Sequence, residues 1–407
     1  MPDIYQIPPP KDRLPVFFVT VYLAQGLVGV AYEPISYLLK DGLGLGAAES
    51  AKFVAWMTLP ILLKPVLGLL TDALPLGGRR RVPWLMAAAA SAALAWGALA
   101  ALPSYAYLPT LLLLAAANAG IVFSDVVCDG VMVERGKHDG KTGVYQAFSI
   151  GTLYACALLT GLGGGLLVKH ASYRTIFALT ALCPLLILGA AALVPDAAAA
   201  PGAPRRAASG LWATVRSPAV WTVAGLIFLI NFSPFQGTAF FYYQTESLRF
   251  SPVLIGLLTS IDGVAGLAGA AVFGGWCRGF APRTLARAAV WASAPLTLLW
   301  LSYGPSSAPA LTAVFGFFGV ASRLALMDLA ARSCPKDGEA TAFALFMSVF
   351  NLAAWASNAL GAAAYGSLAP SGAGRAMAML IAASAASSLL ALPLLRVLPS
   401  SAKLEAP

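Results

Sequence analysis

The sequence predicts an all-α membrane protein whose twelve transmembrane helices form two pseudo-symmetric six-helix bundles. Three observations lead there. Of its 407 residues 59% are hydrophobic and only 11% charged, whereas a soluble domain carries ~25% charged residues. Its apolar stretches repeatedly reach the ~20 residues that a helix needs to cross a bilayer. An internal repeat completes the argument: adding 199 to the residue number carries Asp129 onto Asp328, Lys137 onto Lys336, Thr142 onto Thr341 and Ser149 onto Ser348, each identical.

The first six spans are expected at 14–38, 52–71, 82–102, 108–133, 142–168 and 174–194, which makes 1–194 one bundle. A polar, Ala/Pro-rich linker at 195–217 follows. The second bundle, 218–407, carries spans at 218–244, 253–275, 284–303, 308–331, 342–366 and 375–395 and ends in a short tail.

Orientation follows from the basic residues. Of the 26 Lys and Arg, eighteen fall on the links that alternate with the first span's start, and six on the opposite links. Cytoplasmic loops collect cations, so both termini are expected in the cytoplasm. The formal charge of +9 does not indicate nucleic acid, because the cations are scattered among short links and form no stripe. No signal peptide is read in the opening residues, so a multi-pass protein of the cell's inner membrane is expected. The five Cys are widely spaced and suggest neither a metal site nor a disulfide framework. No cofactor is expected.

Two charges within spans need a reason. Asn118, Asp125 and Asp129 recur at i, i+7 and i+11 on the fourth span and share one face. A carboxylate in hydrocarbon costs ~2.5 kcal/mol or more, so that face must look into protein or a wet cavity. In the second half Arg323 lies at the depth where the first has Ser124 and Asp125. Asp125 is expected either to serve substrate or proton, or to pair with Arg323 or Lys64 and merely join helices. Lys64 sits between Leu63 and Pro65 within the second span, and snorkelling is its plain alternative.

The link between the second and third spans reads Gly68-Leu69-Leu70-Thr71-Asp72-Ala73-Leu74-Pro75-Leu76-Gly77-Gly78-Arg79-Arg80-Arg81. An Asp and a basic cluster bracketing a Gly turn resemble the loop signature of the major facilitator superfamily. Further stretches narrow the resemblance to its folate-biopterin transporter family. They are Gln25-Gly26 through Glu33-Pro34 to Lys40-Asp41, then Pro60-Ile61-Leu62-Leu63-Lys64-Pro65, then Ser124-Asp125-Val126-Val127 with Asp129 and Glu134. Cys334-Pro335-Lys336-Asp337-Gly338-Glu339-Ala340-Thr341 follows in the second half. Arg249 departs from the family, which usually has a Gly there.

The resemblance implies a central cavity lined by spans one, four, seven and ten. Gln25 and Glu33, with Tyr37 beside them, are then candidate substrate-binding residues, as are Asn118 and Asp125. Asn231 and Tyr242 on the seventh span, Lys64 and Arg323 join them. For any single Asn, Gln or Tyr the plain alternative is an interhelical hydrogen bond. Asp125 and Asp262 are the candidate proton carriers, since desolvation disfavours the charged form of an acid. Asp72, Arg79, Arg80, Arg81, Asp129, Glu134, Arg278 and Asp328 are the candidate cytoplasmic gate. The Gly-rich runs at 161–165 and 266–271 lack the Lys-Ser/Thr of a phosphate loop and are read as close packing.

The implied function is secondary active transport of a folate or pterin by alternating access, coupled to protons, by a monomer in the lipid bilayer. Alternatives are a facilitator for another organic anion, such as a muropeptide, and a non-transporting sensor or lipid-moving protein. An enzyme is not expected, because no nucleophile-and-base or metal-ligand constellation is present.

Overall fold

The computed structural model describes residues 13–74, 76–79, 81–139, 142–194, 212, 214–276, 280, 282–333 and 339–398. Among them every regular element is a helix, and one isolated bridge joins Leu76 and Arg79. Eleven helices are long and apolar enough to cross a membrane. They begin with Leu14–Gly42, Ala47–Gly68, Val82–Ala101, Tyr107–Met132, Phe148–His170 and Tyr173–Leu193. After the linker come Pro252–Phe273, Arg283–Ser302, Ala308–Ala330, Leu345–Ser371 and Ala373–Val397.

The remaining expected span, the seventh, is broken in two. Its first part is Pro218–Asn231 and its second Thr238–Tyr242, continued by a π-helical turn at Tyr243–Ser247. Pro234 has no N–H to continue a helix, and Gly237 takes φ +71. Two side chains of the eleventh span satisfy the freed backbone. Ser357 Oγ accepts from Ser233 N at 2.8 Å, and Asn358 Oδ1 accepts from Thr238 N at 2.8 Å. Irregular backbone persists at membrane depth only where protein satisfies it in this way.

Prolines also shape the first two spans. The first passes through a tight 3-10 turn at Gly29–Ala31 just before Pro34, and the second through one at Leu59–Leu63 flanked by Pro60 and Pro65. The second then continues as Lys64–Ala73, which brings Lys64 to the head of a new helical segment.

Three apolar clusters lie within a single half, and a fourth, around Trp300, also takes in Tyr37, Ala47 and Ala51 of the first half. Phe17, Phe18 and Tyr145 with Leu85 and Val127 fill one end of the first half, while Leu38, Phe53, Trp96 and Phe177 fill the other. In the second half Val220, Ile227, Leu326 and Phe346 pack at one end and Phe235, Tyr242, Trp300 and Tyr303 at the other. Against each other, the halves pack through the fifth and eighth spans and through the second and eleventh. The fifth and eighth touch backbone to backbone. A Cβ on Gly161 would come within 2.9 Å of Gly256 O and Ser260 N, and one on Gly256 would strike Gly161 O. Small residues that admit such approach replace the hydrophobic drive that lipid cannot supply. Ser260 Oγ stitches the seam by donating to Leu158 O at 2.8 Å and accepting from Leu162 N at 2.9 Å.

The helix ends that lead out of spans 2, 4, 8 and 10 and into spans 3, 5, 9 and 11 share one end of the bundle, called the basic end below. At this end Gly77 and Gly78, with φ +59 and +76, turn the chain between Leu76 and Arg79.

Candidate functional site

Lys64 Nζ donates to Asp125 Oδ2 at 2.5 Å, joining the second span to the fourth. The two side chains keep 22% and 17% of their surface exposed, so neither is sealed in apolar packing. Of the two partners expected for Asp125, Lys64 is the one in contact. Arg323, from the tenth span in the other half, is exposed and lies over the Phe350 ring with its guanidinium carbon 5.5 Å from the centroid.

One turn along, Asp129 Oδ1 accepts from Tyr22 OH on the first span at 3.0 Å. Sequence reading passed over Tyr22. Its signal was there, because Tyr22 falls three residues before Gln25 on the stripe that continues through Gly29, Glu33 and Ser36. Arg81 is buried and donates through Nη1 to Thr71 Oγ1 at 2.9 Å. Its guanidinium lies over Gly130, where a Cβ would meet the guanidinium carbon at 2.8 Å. Basic link, second span and fourth span thus meet in one contact. Arg79 is exposed, and Asp328 is half-buried on the tenth span. Arg80 and Arg278, and the side chains of Asp72 and Glu134, lie outside the described residues.

Along the first span, three polar atoms are buried without a hydrogen-bond partner among the described residues: Gln25 Nε2, Glu33 Oε2 and Tyr37 OH. Buried polar groups normally have partners, and each one left alone costs about 1–3 kcal/mol. Glu33 uses its other oxygen to accept from Thr259 Oγ1 of the eighth span at 3.2 Å, so it too bridges the halves. Thr259 was not singled out from the sequence, although it sits one turn before Asp262 on that span.

Asp262 backs onto Gly316 of the tenth span, where a Cβ would meet Asp262 O at 2.7 Å and Oδ1 at 2.9 Å. Asn118 is half-buried on the fourth span, and Asn231 donates through Nδ2 to Ile227 O of its own helix at 2.7 Å.

Toward the end opposite the basic links, side chains close across the halves. Tyr242 OH shares a hydrogen bond with Ser50 Oγ at 2.8 Å and also donates to Leu45 O. The Tyr37 and Phe241 rings meet edge to face at 5.1 Å. Trp355 Nε1 donates to Ala55 O at 3.0 Å. Tyr242 and Tyr37 thus lie in this closure, while Lys64 and Asp125 form a separate pair nearer the basic end. No group of three or more metal-binding side chains occurs among the described residues.

The BT1 family model matches residues 25–301 and 313–406. The chain is 31% identical over 361 residues to the folate-biopterin transporter of Synechocystis sp. (strain ATCC 27184 / PCC 6803 / Kazusa), covering 82% of this chain and 71% of that protein. It is 26% identical over 267 residues to folate transporter 2 of Plasmodium falciparum (isolate 3D7), covering 64% of this chain and 58% of that protein. The fold is similar to a solved POT family transporter with a TM-score of 0.70 at 14% identity, over 95% of this chain and 96% of that one. The chain is a multi-pass membrane transporter with a major facilitator fold, not an enzyme, and it belongs to the BT1 family, the folate-biopterin transporters.

Proposed function

We propose that this protein carries a folate or pterin across the inner membrane by alternating access, coupled to protons. The observations that carry the reading are the part-exposed Lys64–Asp125 ion pair inside the first half and the polar contact from Glu33 to Thr259 across the two halves. Lys64 and Arg323 are the cations available to the carboxylates of a folate glutamate tail. A pterin ring offers adjacent N–H donors, which a carboxylate accepts in pairs. Glu33, with one buried oxygen unpartnered, is suited to that role, and Gln25, Tyr37 and Asn118 extend the polar lining. Asn231 and Tyr242 are further binding candidates from the seventh span. Names of the relatives, a folate-biopterin transporter and a folate transporter, support the cargo class.

In this reading the halves 1–194 and 218–407, joined by the linker 195–217, rock as units, with both termini cytoplasmic and one chain sufficient. Binding of an anion competes with Asp125 for Lys64, so cargo weakens the contact between the second and fourth spans and shifts the population. Asp125 and Asp262 are the proposed proton carriers. Asp72, Arg79, Arg80, Arg81, Asp129, Glu134, Arg278 and Asp328 are proposed to close the basic end when the site faces outward.

Counterflow in proteoliposomes tests the proposal. Vesicles loaded with unlabelled folate or biopterin should accumulate the labelled compound, and a collapsed proton gradient should lower net uptake without abolishing exchange. Exchange of a muropeptide with none of either pterin would sink the cargo assignment. Binding without exchange would indicate a sensor.

A further inference from the structure

At the basic end, the ninth and twelfth spans enclose a cavity that the transport site leaves unused. Its volume is about 610 Å³, and it is lined by Arg283, Arg287 and Trp291 on one side and by the 392–396 segment, including Arg396, on the other. A break in the twelfth span creates it. The long helix stops at Leu390, residues 391–393 form turns, and a short helix, Leu394–Val397, leads away. Pro393, which lacks an N–H to extend the long helix, stands at the break.

Arg283, Arg287 and Trp291 recur at i, i+4 and i+8 and so share one helix face. Arg287 and Arg396 are exposed. Arg283 is half-buried, and its Nε is buried without a hydrogen-bond partner among the described residues. Another of its nitrogens, Nη2, lies 3.4 Å from Leu395 O, a long contact that leaves most of the guanidinium's donors uncommitted. None of the three forms an ion pair with an acid among the described residues. Three like charges around one cavity repel each other unless an anion sits between them.

Location decides which anion. Long contacts of the ninth span are with the tenth and twelfth of its own half, so this face looks outward from the bundle. Trp291, 61% exposed, stands one turn deeper into the apolar zone than Arg287. Tryptophan gathers where headgroups meet acyl chains. Leu392 supplies apolar wall beside it.

We propose that this cavity binds the phosphate headgroup of an anionic membrane lipid. The guanidinium groups take the phosphate oxygens, and Trp291 with the leucine wall flanks the acyl chains. The site is independent of the cargo.

Native mass spectrometry of the full chain in detergent, with phosphatidylglycerol and phosphatidylcholine of matched chains, tests the proposal. The parent should retain phosphatidylglycerol in preference. Arg287→Gln should weaken it about fivefold, as expected for one cation near a headgroup, and R287Q/R396Q should abolish the preference. Arg375→Gln, an exposed arginine at the opposite end, should retain it. Millimolar inorganic phosphate should leave the melting temperature unchanged. The proposal is overturned if the two lipids bind alike, if R287Q and R287Q/R396Q keep the parent's selectivity, or if phosphate alone stabilises as well as the lipid.

Discussion

Gly44 and Arg249 occupy the same position in the two halves and take the same left-handed backbone conformation, φ +65 and φ +57. The equivalence is visible in the hydrogen bonds. Leu43 N donates to Leu38 O and Leu45 N to Leu39 O; with an offset of 205, Leu248 N donates to Tyr243 O and Phe250 N to Gln244 O. Both first helices of their halves therefore unwind through a π-helical turn and end on a residue with positive φ. A Cβ in that conformation costs roughly 1–2 kcal/mol. Arg249→Gly should accordingly raise thermal stability in detergent by about 1 kcal/mol without lowering transport. Gly44→Val should lower stability by more, because a β-branched side chain is a genuine outlier there. Equal melting temperatures for parent and R249G would show that the second half does not bear this strain.

The Lys64–Asp125 pair separates stability from function. Removing one partner of a largely buried pair leaves the other charge uncompensated, at a cost of up to about 3–5 kcal/mol; removing both is often close to neutral. Residual exposure of the two side chains puts this pair toward the lower end. Lys64→Met and Asp125→Asn should each melt markedly below the parent. The double variant should recover most of the loss yet fail to exchange cargo in counterflow. If the double variant transports normally, the pair is scaffolding.

Much of this was legible in the sequence, for a physical reason. Lipid requires every span to be apolar over its whole length, so the run lengths alone gave eleven of the long helices. The seventh span behaved differently because its break depends on Ser357 and Asn358, more than a hundred residues away, which no local pattern reveals. Pro234 announced a bend, not a gap of several residues. Charges inside spans are costly enough to stand out, so Asp125, Lys64 and Arg323 were found. Choosing Lys64 over Arg323 as the partner of Asp125 required knowing how the second span unwinds at its prolines. Neutral partners such as Tyr22 and Thr259 carry no such cost and were indistinguishable from ordinary packing. The substitution at Arg249 was noticed as a departure from the resembled family, but the strained dihedral that makes it consequential belongs to the backbone.

The seam between the fifth and eighth spans should be intolerant of size. Gly256→Val places a branched side chain against Gly161 O, and overpacking of a close interface costs about 1–3 kcal/mol. Loss of melting temperature and of transport together is expected. Gly97→Ala is the control, because a Cβ there meets nothing within 4 Å and alanine favours a helix over glycine. A G256V protein as stable and active as the parent would mean that the two helices readily separate.

Tyr242 closes the end opposite the basic links by bonding at once to Ser50 and to Leu45 O. Both partners belong to the first half and Tyr242 to the second, so the phenol acts as a latch between them. A hydrogen bond is worth about 0.5–1.5 kcal/mol net, and a loss of 1.4 kcal/mol changes a two-state ratio tenfold. Tyr242→Phe keeps the ring and removes the hydroxyl, so packing is preserved while the latch is lost. Spin labels at Lys52 and Glu246, exposed residues on opposite halves at this end, report the separation directly. The parent should give one short distance. Y242F should add a longer one, with the open fraction raised several-fold, and Ser50→Ala should move it in the same direction by less, because Leu45 O still accepts. Unchanged distance distributions in both variants would locate the closure elsewhere, in the Tyr37–Phe241 ring contact or the Trp355–Ala55 bond.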